Sequence, residues 1–154
     1  MRDSTFLDSN IFLYAFSTKD LAKQKIAASL VVKPITISTQ VINEVSSNLI
    51  KKLKCTNNDI AEFVEDCYLR YNVVDFTKNI FIKASTLREN YHFSYYDSLI
   101  VSSALLSHCS TLYSEDMQHG LVIEEQLTII NPFKPSTGAH AERGLQQKNT
   151  TLIL

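Results

Sequence analysis

Short apolar stretches alternate with longer helix-forming stretches along most of this chain. The short stretches are rich in β-branched or aromatic residues and have the length of strands: Thr5-Phe6-Leu7, Ile35-Thr36-Ile37-Ser38, Val73-Val74-Asp75-Phe76, Thr111-Leu112-Tyr113-Ser114 and Leu127-Thr128-Ile129-Ile130. Strands separated by helices need crossover connections, and crossovers build a mostly parallel sheet that helices cover on both faces. The sequence therefore predicts an α/β fold with a mostly parallel sheet.

The intervening stretches predict helices. The clearest is the stretch from Asn58 to Tyr71, whose apolar residues recur at the three- and four-residue spacing of an amphipathic helix. Five other helices are predicted. The first begins at Ile11, and the rest cover Lys19 to Val32, Thr39 to about Lys54, the region around Ile80 to Tyr91, and Ser94 to near His108.

Size and composition indicate one domain. A chain of 154 residues is too short for two ordinary domains. Residues 1–134 carry all the predicted elements, whereas residues 135–154 are polar and without periodicity, so we interpret them as a flexible C-terminal tail. No apolar run approaches the ~20 residues that span a bilayer, and the N-terminus lacks a secretory signal. Three cysteines without CxxC spacing suggest thiols in a reducing cytoplasm.

Four carboxylates stand where a predicted strand ends or a predicted helix begins: Asp8, Glu44, Asp97 and Asp116. In a parallel sheet the carboxyl ends of the strands share one edge, so these acids are expected to meet there. Each has a simpler role when taken alone, since Asp8 suits a helix cap, Asp97 a capping box with Ser94, Glu44 a surface and Asp116 a turn. Four such coincidences at one edge are improbable, so we predict an acidic cluster.

An acidic cluster has a direct chemical consequence. Carboxylates repel one another by about 1 kcal/mol per pair at ~4 Å in water, and by severalfold more where water is scarce. A hard cation such as Mg²⁺ or Mn²⁺ among the oxygens removes that repulsion. The net charge of the chain is −1, which permits a nucleic-acid substrate without indicating one.

The motifs that carry these acids resemble those of the PIN-domain family. The family's opening signature is similar to Phe6-Leu7-Asp8-Ser9-Asn10-Ile11-Phe12-Leu13-Tyr14-Ala15, and Glu44 stands where its second acid is expected. Its third and last motifs are similar to Tyr96-Asp97-Ser98-Leu99-Ile100-Val101-Ser102-Ser103-Ala104 and Leu112-Tyr113-Ser114-Glu115-Asp116-Met117. The resemblance covers about residues 3 to 133, and the layout looks most like single-domain VapC toxins of bacterial toxin–antitoxin pairs.

The resemblance implies a three-layer α/β/α sandwich with a five-stranded, mostly parallel sheet. It also implies that residues 1–134 form a nuclease domain, a Mg²⁺- or Mn²⁺-dependent endoribonuclease acting on RNA in the cytoplasm. A cognate antitoxin protein and a homodimer are the partners it implies. The chain departs from the family pattern at Gln118-His119-Gly120, where many members carry a further acid, so a second metal position is not implied.

Roles follow for the individual side chains. The metal ligands, direct or through water, would be Asp8, Asp97 and Asp116. Glu44 would complete the coordination shell or orient the attacking water. Asn10 and Ser114 are candidates to hydrogen-bond the ligand acids, with turn formation and strand-end capping as the equally open alternatives.

Candidates for contact with RNA are Lys51, Lys52, Lys54 and Tyr95, since lysines suit the backbone and an aromatic ring suits a splayed base. Tyr96 is expected to pack into the protein instead. Two other functions stay open. One is a catalytically degenerate PIN-like domain that binds RNA or protein, and the other is a metal-dependent nuclease that processes DNA or RNA and is not a toxin.

Overall fold

The structure is a computed structural model, and it describes residues 4–135. Within them one sheet of six strands runs in the order β3-β2-β1-β4-β6-β5. The strands are β1 Thr5–Leu7, β2 Thr36–Ser38, β3 Asn72–Val74, β4 Thr111–Tyr113, β5 Val122–Ile123 and β6 Leu127–Ile130. All neighbouring pairs are parallel except β5 with β6, which are antiparallel.

Helices connect the parallel strands. They are α1 Ser9–Phe16, α2 Leu21–Val31, α3 Thr39–Leu53, α4 Asn57–Arg70, α5 Lys78–Tyr91 and α6 Tyr95–Leu106. Helices α1 to α4 contact one another, and α5 packs against α6. The steps from β1 to β2 and from β2 to β3 go one way across the sheet, whereas the step from β3 to β4 goes back. Because parallel crossovers are right-handed, α1 to α4 cover one face and α5 and α6 the other.

This topology creates a switch point between β1 and β4, from which the chain leaves in opposite directions. In open α/β sheets a ligand site forms at such a point, beyond the carboxyl ends of the strands. The two strands pair in register over their whole length, from Thr5 with Thr111 to Leu7 with Tyr113. The residues that directly follow them, Asp8 and Ser114, are therefore neighbours in space.

The core makes this edge rigid. Phe6 and Leu7 of β1 and Leu112 of β4 are completely buried beneath the helices. Helix α6 is buried along nearly its whole length, from Ser98 to Leu105, and the hydroxyl of Ser102 donates to the carbonyl of Ile80 at 2.7 Å. A helix that is buried on all sides shows no amphipathic pattern, which explains why apolar residues and small serines alternate without a polar face from Ser98 to Leu105.

The structure confirms the predicted α/β sandwich and its mostly parallel sheet. All five predicted strands are present, two with the predicted ends and three with ends shifted by one or two residues. The expected strand number of five becomes six because β5 forms a hairpin with β6. Apart from Pro135, the predicted tail at 135–154 lies outside the described residues. None of the helices in residues 4–135 has both the length and the apolar character that crossing a bilayer requires.

Candidate active site

Each of the four acids stands at the carboxyl edge of the sheet. Asp8 follows β1, Glu44 lies in the second turn of α3, and Asp116 lies three residues beyond β4. Asp97 is in the first turn of α6, which runs antiparallel to the strand it precedes and so begins at this edge. The fold therefore brings together acids that are up to 108 residues apart in the chain.

Asp8 is the buried member of the group, with 4% of its surface exposed. Its carboxylate accepts hydrogen bonds from the Ser9 backbone N–H at 2.7 Å and from the Ser114 hydroxyl at 2.8 Å. The pKa of Asp8 is raised to about 7, chiefly by burial. The two donors lower the pKa, and the charges of Glu44 and Asp97 contribute smaller increases. Asp8 does cap α1, and the charges of Glu44 and Asp97 also affect its pKa.

Asn10 and Ser114 tie Asp8 to Asp116. The Asn10 side-chain amide donates to Asp8 Oδ2 at 3.4 Å and to Asp116 Oδ2 at 3.0 Å. Its oxygen accepts from the Glu115 backbone N–H at 3.3 Å, and Ser114 Oγ accepts from the Asp116 N–H at 3.3 Å. Both residues contact the acids as the sequence suggested, and both also hold the loop after β4.

Glu44 has its two carboxylate oxygens held from different sides. Oε2 accepts from the hydroxyl of Ser9 at 2.8 Å, and Oε1 accepts from the side-chain amide of Gln40 at 2.9 Å. The same amide donates to the carbonyl of Tyr96 at 3.2 Å, which joins the start of α3 to the start of α6. Glu44 is half-buried and is not a free surface residue.

Asp97 is half-buried, and Ser94 caps α6 by accepting from the backbone N–H of Asp97 at 3.2 Å. Among the contacts of this helix start, the reciprocal bond that would make a full capping box is not formed. Burial raises the pKa of Asp97, and the charges of Asp116 and Glu44 add to the rise. The four carboxylates thus act on one another electrostatically.

The donor set suits a divalent cation. Within residues 4–135 the ion pairs join Lys23 to Glu115 and Lys83 to Glu124, so no lysine or arginine neutralises any of the four acids. Across the same residues no three Asp, Glu, His or Cys side chains are close enough to enclose an ion. Carboxylate oxygens are nevertheless the donors that hard divalent cations prefer, so the chemistry of the donor set, rather than a preformed cage, fits such an ion.

Two cavities flank the acids. The larger, about 490 Å³, lies between α1, α3 and the loop after β4. Its charged lining consists of two lysines, after which we name it, and three carboxylates: Lys19, Lys52, Asp20, Glu115 and Asp116. The smaller, about 340 Å³, lies between the starts of α3 and α6 and is lined by Thr39, Gln40, Asn43, Phe76, Tyr96 and Leu99. We name them the basic cavity and the aromatic cavity.

The predicted RNA contacts are placed unequally around these cavities. Lys52 lines the basic cavity, whereas Lys51 and Lys54 are exposed near the end of α3 and do not line it. Tyr95 is 49% exposed. The expectation that Tyr96 packs into the protein is wrong, since 66% of its surface is exposed and the residue lines the aromatic cavity. Tyr96 lies in the first turn of α6, and the residues of this helix start that face the protein interior are Ser98 and Leu99.

Sequence reasoning missed three contributors. Ser9 and Gln40 hold Glu44, and Glu115 fixes the loop that carries Asp116. Gln40 precedes Glu44 by one helical turn, which is a readable signal for a side-chain contact. The partners of Glu115, Tyr14 and Lys23, are distant in the chain, and no local pattern indicates them. His119, in the Gln118-His119-Gly120 segment after the last acid, accepts the Asn131 N–H at 2.9 Å.

Comparison with known proteins agrees with this geometry. Residues 5–121 match the sequence model of the PIN domain. Comparison with curated proteins gives no match. Among solved structures, the fold is similar to a toxin–antitoxin complex from Klebsiella pneumoniae, with a TM-score of 0.63 and 18% identity over 86% of this chain and 100% of that one.

Two further solved structures share the fold. The sarcin–ricin loop cleaving toxin VapC20 from Mycobacterium tuberculosis has a TM-score of 0.60 and 18% identity, covering 73% of this chain and 90% of that one. FitAcB from Neisseria gonorrhoeae has a TM-score of 0.59 and 12% identity, covering 85% and 99% respectively. At these identities the likeness concerns the fold.

Proposed function

Since this chain belongs to the PIN-domain family, we propose that it is a Mg²⁺- or Mn²⁺-dependent endoribonuclease that hydrolyses RNA phosphodiester bonds. One observation carries the proposal. Four carboxylates converge at the switch point of the sheet, and within residues 4–135 only neutral groups and backbone amides hydrogen-bond to them. Such a site leaves its negative charge to be balanced by a cation from solution.

Asp8, Asp97 and Asp116 are the residues that would hold the cation, directly or through bound water. When bound, it lowers the pKa of a coordinated water and offsets negative charge on the phosphoryl oxygens. Asp8 gains most from cation binding, since burial holds its pKa near 7 and a nearby positive charge favours its ionised form.

The remaining polar residues position these groups. Glu44, fixed from both sides by Ser9 and Gln40, presents a carboxylate that can accept a proton from an attacking water. Asn10 and Ser114 orient Asp8 and Asp116, as hydrogen-bonding partners of metal ligands usually do.

Cleavage of RNA by purified protein tests the proposal. With Mg²⁺ or Mn²⁺ the wild type should cut RNA, and Asp97→Asn should lower the rate by at least about 100-fold, because it removes a ligand and a neighbouring charge. The matched control is Asp75→Asn. Asp75 follows β3 at the same edge of the sheet but is exposed, and it is two strands away from β1.

The outcomes separate the alternative functions. Equal cleavage by Asp97→Asn and wild type would remove the assignment of these acids. A protein that neither cuts RNA nor binds Mn²⁺ in a calorimetric titration would be the catalytically degenerate domain. Cleavage of DNA in preference to RNA would favour a processing nuclease instead.

We further propose that the chain is the toxin of a toxin–antitoxin pair in the cytoplasm. Support comes from the fold shared with the Klebsiella pneumoniae toxin–antitoxin complex and with the toxin VapC20 from Mycobacterium tuberculosis. A cognate antitoxin that offers Arg or Lys to the acids would complement their unbalanced charge. A homodimer stays a prediction of the family resemblance.

Induced expression tests the toxin role. Growth should stop on induction and recover when the adjacent reading frame is expressed as well. Arrest should also be absent for Asp97→Asn, which ties the effect to the acids. No arrest with the active wild type would reject the toxin role and leave the nuclease proposal in place.

A further inference from the structure

The two cavities beside the acids differ in chemistry, and we infer from this a defined path for the substrate. Single-stranded RNA crosses the acids with one nucleobase stacked on Tyr96 in the aromatic cavity and with backbone phosphates held by Lys19 and Lys52 at the basic cavity. This inference rests on the proposed ribonuclease function and adds to it which groups bind on each side.

Glu44 marks the division between the two sides. Ser9, which donates to Oε2 of Glu44, lines the basic cavity. Gln40, which donates to Oε1, lines the aromatic cavity. The carboxylate therefore stands between residues that line the two cavities. In the inferred path, a strand whose scissile phosphate lies at the acids extends into both.

The aromatic cavity has the character of a base-binding site. Tyr96 and Phe76 supply aromatic surface, Leu99 forms an apolar wall, and the cavity contains no charged side chain. Tyr95 meets the ring of Tyr96 edge-on, with centroids 5.5 Å apart, which supports the exposed ring of Tyr96. Unpaired bases stack on rings presented in this way, whereas phosphates gain nothing from them.

The polar wall of the aromatic cavity favours the same ligand. Gln40 is 7% exposed, and its amide nitrogen is fixed by two acceptors, Glu44 and the Tyr96 carbonyl. Its Oε1 atom has no hydrogen-bond donor among residues 4–135. Every nucleobase carries an N–H or NH₂ group on its edge, so a base is a ligand that matches this acceptor.

The basic cavity has the character of a phosphate-binding site. Lys19 and Lys52 line it from opposite sides, one before α2 and the other near the end of α3, and neither forms an ion pair within residues 4–135. Three carboxylates also line it, and one of them, Asp116, belongs to the acidic cluster and accepts from the Asn10 amide, so its charge is left to the proposed cation. The other two are already engaged. Asp20 caps α2 by accepting from a backbone N–H, and Glu115 is paired with Lys23.

Binding measurements separate the two sides. We would measure the affinity of a short fluorescent RNA, as a single strand and as a duplex, in an Asp97→Asn background with Mg²⁺ present. Tyr96→Ala should weaken single-strand binding roughly 10-fold and leave duplex binding unchanged, because paired bases cannot stack on the ring. The control is Tyr68→Ala, an equally exposed tyrosine on α4 that lines neither cavity.

The lysines have a different signature. Lys19→Ala and Lys52→Ala should each weaken binding of both RNA forms and reduce the slope of log affinity against log salt by about 0.7 for the single strand. Tyr96→Ala should leave this slope unchanged. Lys33→Ala is the control, since this exposed lysine lies before β2 at the opposite edge of the sheet.

The result that overturns the inference is single-strand binding by Tyr96→Ala equal to that by Tyr68→Ala, or salt slopes of both lysine variants equal to that of Lys33→Ala. Loss of antitoxin binding with unchanged RNA binding in Tyr96→Ala would also overturn it, since the cavity would then belong to a protein partner. Cleavage of RNA by the wild-type protein is the separate test of the proposed function. That function stands if the wild type cuts RNA and falls if it does not, whatever the binding measurements give.

Discussion

Glu115 and Asp8 are acids near the same edge of the sheet, and they differ in whether a positively charged side chain balances their charge. Glu115 accepts from the Tyr14 hydroxyl and from the ammonium group of Lys23, each at 2.5 Å, and so has a cation of its own. Asp8 is more deeply buried, yet within residues 4–135 its donors are a backbone amide, a hydroxyl and a side-chain amide, all neutral.

The difference separates an acid that stabilises the fold from an acid that is kept ready for a ligand. Neutral donors orient a carboxylate without cancelling its charge, so the pKa of Asp8 stays high because of its burial. The Lys23 ammonium, by contrast, completes the pairing of Glu115 and fixes the loop before Asp116. Three predictions test this contrast.

The largest effect is expected for the pH dependence of stability in Asp8→Asn. The folded pKa of Asp8 is about 7 against an ordinary value of 3.8, so between these values the folded state holds one more proton than the unfolded state. The stabilisation from this extra proton on Asp8 is complete below pH 3.8 and is lost as the pH rises through 7. The loss is at most roughly 4 kcal/mol.

Chemical denaturation from pH 4 to pH 8 in EDTA measures this. The wild type should lose stability relative to Asp8→Asn as the pH rises, and the variant should show a flatter profile. Asp59→Asn is the control, because Thr56 lowers the pKa of Asp59 and that group is ionised in both states above pH 5. Parallel profiles for wild type and Asp8→Asn would mean that Asp8 is already compensated.

The fold was predictable where the pattern is local and strong. Five strands and six helices were found from apolar periodicity, and their alternation indicated the parallel sheet. Strand β5 was missed because Val122–Ile123 is only two residues long and its hairpin loop begins with Glu124 and Glu125. Both have positive φ, 49° and 57°, without the Asn-Gly signal that normally marks such a turn.

Only those parts of the site that follow from the order of strands and helices were predictable. Strand ends and helix starts identified Asp8, Asp97 and Asp116 as neighbours, because parallel strands force their carboxyl ends together. The exposure of Tyr96 was not predictable. The burial of Ser98 and Leu99 decides which face of α6 points inward, and that depends on the neighbouring helix.

An intermediate effect is expected for Ser114→Ala. The buried hydroxyl donates to Asp8 Oδ2 and accepts from the Asp116 N–H, so its loss leaves the Asp8 carboxylate short of a donor. We expect a loss of roughly 2 kcal/mol in the free energy of unfolding above pH 7 and a 10- to 100-fold weaker Mn²⁺ affinity. Denaturant unfolding and calorimetric titration measure the two.

Ser103→Ala is the matched control for that change. Ser103 is also completely buried, but its hydroxyl has no hydrogen-bond partner among the described residues. Removing an unpaired buried hydroxyl should leave the stability unchanged or slightly higher, and should not alter Mn²⁺ affinity. If both serine variants lose the same amount, the Ser114 hydroxyl does not support Asp8.

The smallest effect is expected for Glu115, whose charge is balanced by Lys23. A double-mutant cycle of Lys23→Met and Glu115→Gln should give a coupling of about 1 kcal/mol, since both side chains are partly exposed and the pair is strengthened by Tyr14. Near the pair of Lys83 with Glu124, the Tyr91 hydroxyl accepts from the Glu124 backbone N–H and does not donate to the carboxylate, so this pair should couple more weakly.

The decisive comparison is with the cation site. Glu115→Gln should lower stability while keeping Mn²⁺ affinity within about threefold of wild type, because its charge is already balanced by Lys23. Asp8→Asn should show the reverse, with weakened Mn²⁺ binding and higher stability above pH 7. If Glu115→Gln weakened Mn²⁺ binding as much as Asp8→Asn, the two acids would form one site, and local charge balance would not distinguish structural from functional carboxylates in this protein.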